Sequence, residues 1–288
     1  MSKHAYLIMA HGDWDLLNDL IKCIDDERNE IFLHVDKKAA FDPAVIRLPQ
    51  KAKYTLIPRR KVTWGGFSMI LTELDLLSAA VERGGFAYYH LLSGQDLPLK
   101  GQDYIHRFFD EHNGNSFIRF DPEAEKNKVY EIRVKQYHFL QDVTGRTPGP
   151  WFGMLRKIEK ISLKVQKILG VDRLARYPGK MYKGTNWFSI THEMAQYVIS
   201  QRKHIVKWFR FTLCADELFL HTVAMQSPMR DTIIDDSLRE IDWKRGQPYT
   251  YRKEDEKMLS DSPKLFARKF STDVDNEIIK RMVERLDH

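Results

Sequence analysis

The sequence predicts an α/β protein built on a mostly parallel sheet flanked by helices. Three observations carry that expectation: short apolar runs ending at polar corners, amphipathic stretches between them, and enough chain to bury a large core. At 288 residues, roughly three quarters of the unfolded surface can leave water without disulfide or metal staples. A hydrophobic share of 43% against 30% charged excludes a disordered or low-complexity chain. No apolar run approaches the ~18 residues that span a bilayer, and MSKHAYLIMAHGD reads into a strand rather than a signal peptide. Cys23 and Cys214 make neither a disulfide framework nor a zinc site, so a reducing cytoplasm is expected.

HAYLIMA (4–10) and EIFLHVD (30–36) read as buried strands. Between them Leu16, Leu17, Leu20, Ile21 and Ile24 recur at helical spacing, with Asp13 as a candidate N-cap. A short strand at 54–57 and a turn at Trp64-Gly65-Gly66 lead into a helix carrying Met69, Ile70, Leu74, Leu77 and Val81 on one side. A strand (88–92), a loop (93–98), a helix (102–112) and a strand (116–120) follow. Parallel sheets of this kind bind ligands at the carboxyl ends of their strands, which directs attention to His11, Asp36, Trp64 and Asp96.

Residues 121–183 differ in character. The chain carries a net +6, yet residues 126–183 alone carry +10, so the remainder is −4. That concentration suits an anionic partner: phosphate, nucleic acid or a lipid surface. In 154–169, Met154, Leu155, Ile158, Ile161, Val165, Ile168 and Leu169 share one face. Lys157, Lys160, Lys164 and Lys167 lie opposite, with Leu163 as the exception. The stripe either packs on the core or sits on an anionic membrane surface beside the lysines. A nucleic-acid-binding protein would want aromatic residues interleaved with Lys and Arg on a recognised module, and none is present. A strand (186–191), a helix from Met194, a helix near Asp216, a strand (238–243), LFARKF (265–270) and a terminal helix complete the chain. No repeat or long linker divides it, so residues 1–288 read as one globular unit.

Several chemistries are excluded. There is neither GxGxxG nor GxxxxGK[ST]. His192-Glu193 fails the zinc HExxH pattern at Gln196, and GFSMI (66–70) fails GxSxG. Glu217 and His221 stand four apart on one helix face but lack a third metal ligand. Asp13-Trp14-Asp15 and Asp273-Val274-Asp275 begin helices, where capping accounts for them, while the mid-sheet strand end at Gly94-Gln95-Asp96 has one carboxylate.

Eight blocks occur in order across nearly the whole chain: AYLIMAHGDWDLLNDLI (5–21), IFLHVDKKA (31–39), VTWGGFSMI (62–70), YYHLLSGQDLPLK (88–100), GTNWFSIT (184–191), ADELFLHTV (215–223), LREIDW (238–243) and LFARKF (265–270). In them the chain resembles the core-2/I-branching β-1,6-N-acetylglucosaminyltransferase and peptide O-xylosyltransferase family, especially its shorter bacterial members. The resemblance implies a GT-A-type, Rossmann-like fold and inverting glycosyl transfer from a UDP-sugar, GlcNAc or xylose favoured, to a glycan or lipid-linked saccharide hydroxyl. It implies no cofactor and no metal beyond the donor. Residues 1–120 would form the nucleotide-sugar-binding half and residues 121–288 the acceptor-binding and catalytic half. The anchor, stem and disulfides of the animal enzymes are missing, which suggests a bacterial protein of the cytoplasm, at most peripheral on the inner membrane.

Residue by residue, Glu217 matches the catalytic base, which removes the acceptor proton as sugar C1 is attacked. Its alternative is an N-terminal box with Asp216 capping. Lys269 matches the phosphate-binding lysine and Arg239 its arginine partner, with Arg268 a nearby substitute; fixed cations would replace a metal at the departing diphosphate. Asp36 resembles the nucleoside-contacting carboxylate, with His11, Trp64 and Asp96 bordering the same crevice. Glu123 and Arg133 fall near the acceptor-binding residues, and Trp187 offers a ring to a sugar or to the core. The family's aromatic acceptor motif has no counterpart, so the linkage stays open. A silent glycan-binding protein would keep the crevice without needing Glu217.

Overall fold

The computed structural model describes residues 2–286 apart from Val129 and Gln247. Its strands are β1 (His4–Ala10), β2 (Asn29–Val35), β3 (Lys53–Leu56), β4 (Tyr88–Ser93), β5 (Asp96–Pro98), β6 (Ser116–Phe120), β7 (Gly184–Thr191), β8 (Ile233–Ile234), β9 (Arg239–Ile241) and β10 (Phe266–Arg268). A seven-stranded sheet runs β3-β2-β1-β4-β7-β6-β8, and a three-stranded sheet runs β5-β10-β9. The first four strands of the large sheet are mutually parallel, as are β6 and β8. Only β7, among the described strands of that sheet, runs against its neighbours, β4 and β6. Such a mostly parallel sheet flanked by helices is the GT-A-type architecture expected from the sequence.

The first helices are α1 (Trp14–Cys23), α2 (Phe67–Arg83) and α3 (Gln102–Glu111). Then come α4 (Pro122–Lys126), α5 (Glu131–Val134), α6 (Gln141–Thr144) and α7 (Pro150–Ile168). The rest are α8 (His192–Ser200), α9 (Arg202–Phe209), α10 (Phe219–Met225), α11 (Glu256–Asp261) and α12 (Asn276–Glu284). Alternation of side chains along the strands divides the core. Leu7, Phe32, Tyr89 and Leu91 pack with residues of α2, α8 and α10 on one face. Tyr6, Ile8, Leu33 and Leu92 pack with residues of α1, α3, α12 and the small sheet on the other. Covered on both faces, β1, β2 and β4 read as unbroken apolar runs rather than alternating ones.

Two local readings change. The 93–98 loop contains β5, whose Asp96–Pro98 pairs antiparallel with β10; three residues are too few to show a period. Asp13 does not cap α1: it stands at φ 54 and its carboxylate accepts from the Thr272 amide at 2.9 Å and Thr272 Oγ1 at 2.7 Å, joining the start of α1 to the segment after β10. Asp275 does cap α12, accepting from the amides of Glu277 and Ile278.

Residues 121–183 carry α4 to α7; Tyr130, Val134, Tyr177 and Met181 join the first core, and buried polar side chains fasten the segment further. Arg173 donates to the carbonyls of Val134, Gln136, Phe211 and Trp208 and lies over the Tyr137 ring at 4.6 Å. Gln166 of α7 accepts from the Tyr137 amide at 2.7 Å and donates to the Tyr137 carbonyl at 2.9 Å. Glu159 accepts from the Leu140 amide. The inner face of α7 therefore carries Glu159 and Gln166, and the apolar stripe of that helix is exposed. No helix among the described residues is long and apolar enough to cross a membrane.

Candidate active site

The chain after β7 and α9 returns through Cys214, at φ 47, into a short turn, Ala215–Glu217, that leads directly to α10. Its position is set by the Trp64-Gly65-Gly66 turn. The Cys214 amide donates to the Gly65 carbonyl at 2.9 Å, and a Cβ at Gly65 (φ +68) would strike Cys214 Sγ. Glu217 Oε2 receives Arg133 Nη1 at 2.6 Å and pairs with Lys183 Nζ at 3.3 Å. Lys183 also holds Asp121, at the end of β6, at 3.0 Å. Oε1 of Glu217 has no hydrogen-bond partner among the described residues.

Neighbouring Asp216 makes no capping hydrogen bond, so the capping alternative for this turn does not hold. It is buried with Oδ1 unpartnered, and burial, followed by the Glu217 charge, pushes its carboxyl up to about 7. Behind it Glu73 of α2 is wholly buried with both oxygens unpartnered, and burial followed by the Asp216 charge raises it well above the carboxylate range. His221 does not join Glu217 in a ligand pair. It is buried with Nε2 at 3.1 Å from the Arg119 carbonyl, and burial lowers its imidazole to about 4. A Cβ at Gly184 would collide with that same carbonyl and ring, which is why β7 opens on glycine and Lys183 reaches Glu217 from beside it.

The second cluster lies where β1, β2 and β10 end. His11 is exposed, yet its imidazole is lowered, first by burial of part of the ring and then by the positive charge of Arg268, with Lys269 and Lys38 adding and Asp36 opposing. Asp36 accepts from the amides of Lys38 and Val62 and stands 3.8 Å from Lys38 Nζ. Arg268 lies 4.4 Å over the Trp187 ring. Lys269 is half-buried, and its ammonium makes no hydrogen bond or ion pair among the described residues. Strand β7 connects the clusters, with Trp187 below Arg268 and Lys183, just before the strand, at Glu217.

Other predicted site residues are placed differently. Arg239 is 4% exposed, and its guanidinium donates to Ser189 Oγ and to the carbonyls of Ser237, Leu91 and Phe188 while lying over Phe266. It ties the small sheet to the large one and has no face for a phosphate; burial lowers it to about 10. Asp96 is fully buried and spent on the Ser93 amide, Ser93 Oγ and Arg268 at 2.6 Å, so it does not face a nucleoside. Trp64 is 46% exposed with the Arg146 guanidinium 3.4 Å above its ring. Trp187 is buried, so its ring serves the core and Arg268 rather than presenting a face to a sugar. Arg133 holds Glu217, whereas Glu123 is exposed on α4 without a polar side-chain partner among the described residues.

Lys183, Lys38 and the buried Glu73 were not singled out from sequence. Lys183 had a usable signal, a cation immediately before the GTNWFSIT block; Glu73 had none, since a glutamate in an amphipathic helix reads as surface. Among the described residues no three His, Cys, Asp or Glu side chains gather as metal ligands. A concavity of about 440 Å³ beside the second cluster is lined by Asp13, Asp15 and Asp273, an acidic wall unsuited to a diphosphate.

The family model for the Core-2/I-Branching enzyme matches residues 4–262. Xylosyltransferase 2 of Canis lupus familiaris and of Homo sapiens are each 23% identical over 96% of this chain and 33% of their own length. Xylosyltransferase 1 of Homo sapiens is 22% identical over 96% of this chain and 30% of its own length. The chain thus spans about a third of the length of the curated relatives it matches.

Proposed function

Because the chain belongs to the Core-2/I-Branching enzyme family, we propose that it is a glycosyltransferase that moves a sugar, xylose or GlcNAc favoured, from a UDP-sugar to a saccharide hydroxyl with inversion. The observation that carries the reading is the carboxylate of Glu217, fixed through Oε2 by Arg133 and Lys183 while Oε1 has no hydrogen-bond partner among the described residues. The acceptor oxygen attacks C1, the C1–O bond to the diphosphate breaks, UDP leaves with the electron pair, and the acceptor proton passes to Glu217 Oε1. Holding one oxygen of the base against two cations fixes the direction of the other, and such positioning is a large part of general-base catalysis.

The departing diphosphate needs positive charge. Lys269, with Arg268 and Lys38 around His11, supplies it from side chains already in place, so no metal ion is required in this reading. Asp36 accepts from the nucleoside. Residues 1–120 with β10 then form the donor half, and residues 121–225 bring Glu217, Arg133 and Lys183 to the acceptor. The test is a panel of nucleotide sugars, with UDP release followed in the presence and absence of saccharide acceptors. The expected result is acceptor-stimulated UDP release from one or two members of the panel. Tight binding of a nucleotide sugar with no turnover would replace the enzyme with a sugar-nucleotide-binding protein.

A further inference from the structure

Helix α7 presents to solvent what amphipathic helices ordinarily bury. Trp151, Met154, Ile158, Ile161, Val165 and Ile168 follow one another along it at helical spacing, and all are exposed, Ile161 at 62% and Ile168 at 84%. The helix has nineteen residues and so is about 28 Å long. Such a continuous exposed stripe differs from singly scattered apolar residues and marks an interaction face. The inner face is already committed through Glu159 and Gln166, so the stripe is not a core seam.

Charge beside the stripe selects the occupant. Lys157, Lys160, Lys164 and Lys167 form an exposed row flanking it, and none of the four has an ion pair or side-chain hydrogen bond among the described residues. They belong to the segment that carries +10 in a chain of +6. We propose that α7 lies flat on an anionic lipid bilayer, its apolar stripe in the headgroup boundary and its lysines against the lipid anions. The combination of apolar stripe, interfacial tryptophan and lysine row is what such a surface binds. A second copy paired through the same face would set one positive row against the other. The proposal is independent of the reaction.

The experiment is co-sedimentation of the full chain with phosphatidylcholine vesicles, with and without a quarter phosphatidylglycerol. Each lysine near an anionic surface contributes about fivefold in partition, so replacing all four by Gln should weaken binding to the anionic vesicles at least tenfold. Ile158→Ser with Ile161→Ser should weaken it similarly, and neutral vesicles should bind poorly. Both sets alter exposed side chains, and UDP release with a water-soluble acceptor should be unchanged in them. A measurement on the unaltered chain accompanies them: brominated lipid should quench a tryptophan component that Trp151→Phe removes. No binding to anionic vesicles, equal binding to both lipids, or no quenching of Trp151 would overturn the proposal. So would concentration-dependent dimerisation that the Ile variants abolish, which would give the stripe to a second copy.

Discussion

Around Glu217 two cations, Arg133 and Lys183, meet two carboxylates, Glu217 and Asp121, at 3.3 Å or less. Around His11 the cations Lys38, Arg268 and Lys269 outnumber Asp36, and Arg268 is paired below with buried Asp96. The first region is balanced and fixes the direction of one carboxylate. The second keeps an ammonium, that of Lys269, without a partner among the described residues, and such a cation at a strand end suits an anionic ligand. In the proposed reaction the first region serves proton transfer and the second holds charge.

The contrast predicts separable defects. Glu217→Gln keeps the shape of the side chain and loses the proton acceptor, so turnover should fall about 10²–10⁴-fold with UDP affinity unchanged. Parallel losses of turnover and UDP affinity, measured by steady-state kinetics and calorimetry, would merge the two regions into one. Arg239→Ala should destabilise the fold by about 3–5 kcal/mol, because the acceptors it satisfies are buried between the sheets. Denaturant unfolding measures this, and a stable Arg239→Ala protein with weakened UDP binding would return Arg239 to the diphosphate.

The smallest effect concerns Glu73. Its folded carboxyl is raised, so the folded chain holds a proton that the unfolded chain releases above the ordinary carboxylate range, and stability falls as pH rises through that interval. Glu73→Gln removes this loss. The melting temperature of the variant should exceed that of the parent by roughly a few degrees at pH 8 and by less at pH 5. A difference independent of pH would show that Glu73 is not the titrating group.

Legibility from sequence followed the physics of each region. Strands β1, β2 and β4 were readable because burial on both faces demands unbroken apolar runs, which also fixes Asp36 at a strand end; the roles of Asp36 and Lys269 rest on the resemblance, not on that pattern. Arg239 was misplaced since LREIDW is the same string whether its arginine faces a ligand or bridges two sheets; that depends on Ser189, Leu91 and Phe188, far away in the chain. Periodicity identified the two-sided character of α7 but not which side meets the protein, which Gln166 and Glu159 decide through distant backbone groups. The pairing of Arg133 with Glu217 joins residues 84 positions apart and leaves no local trace.

The claim that fixed side-chain cations do the work of a metal ion at the diphosphate is open to one direct measurement. Sugar transfer is followed in excess EDTA, with the parent and Lys269→Ala compared side by side. The account predicts an EDTA-insensitive rate in the parent and UDP affinity about 10- to 100-fold weaker in the variant, the worth of a charged hydrogen bond. Activity abolished by chelation and restored by Mn²⁺, with Lys269→Ala binding UDP as tightly as the parent, would contradict it.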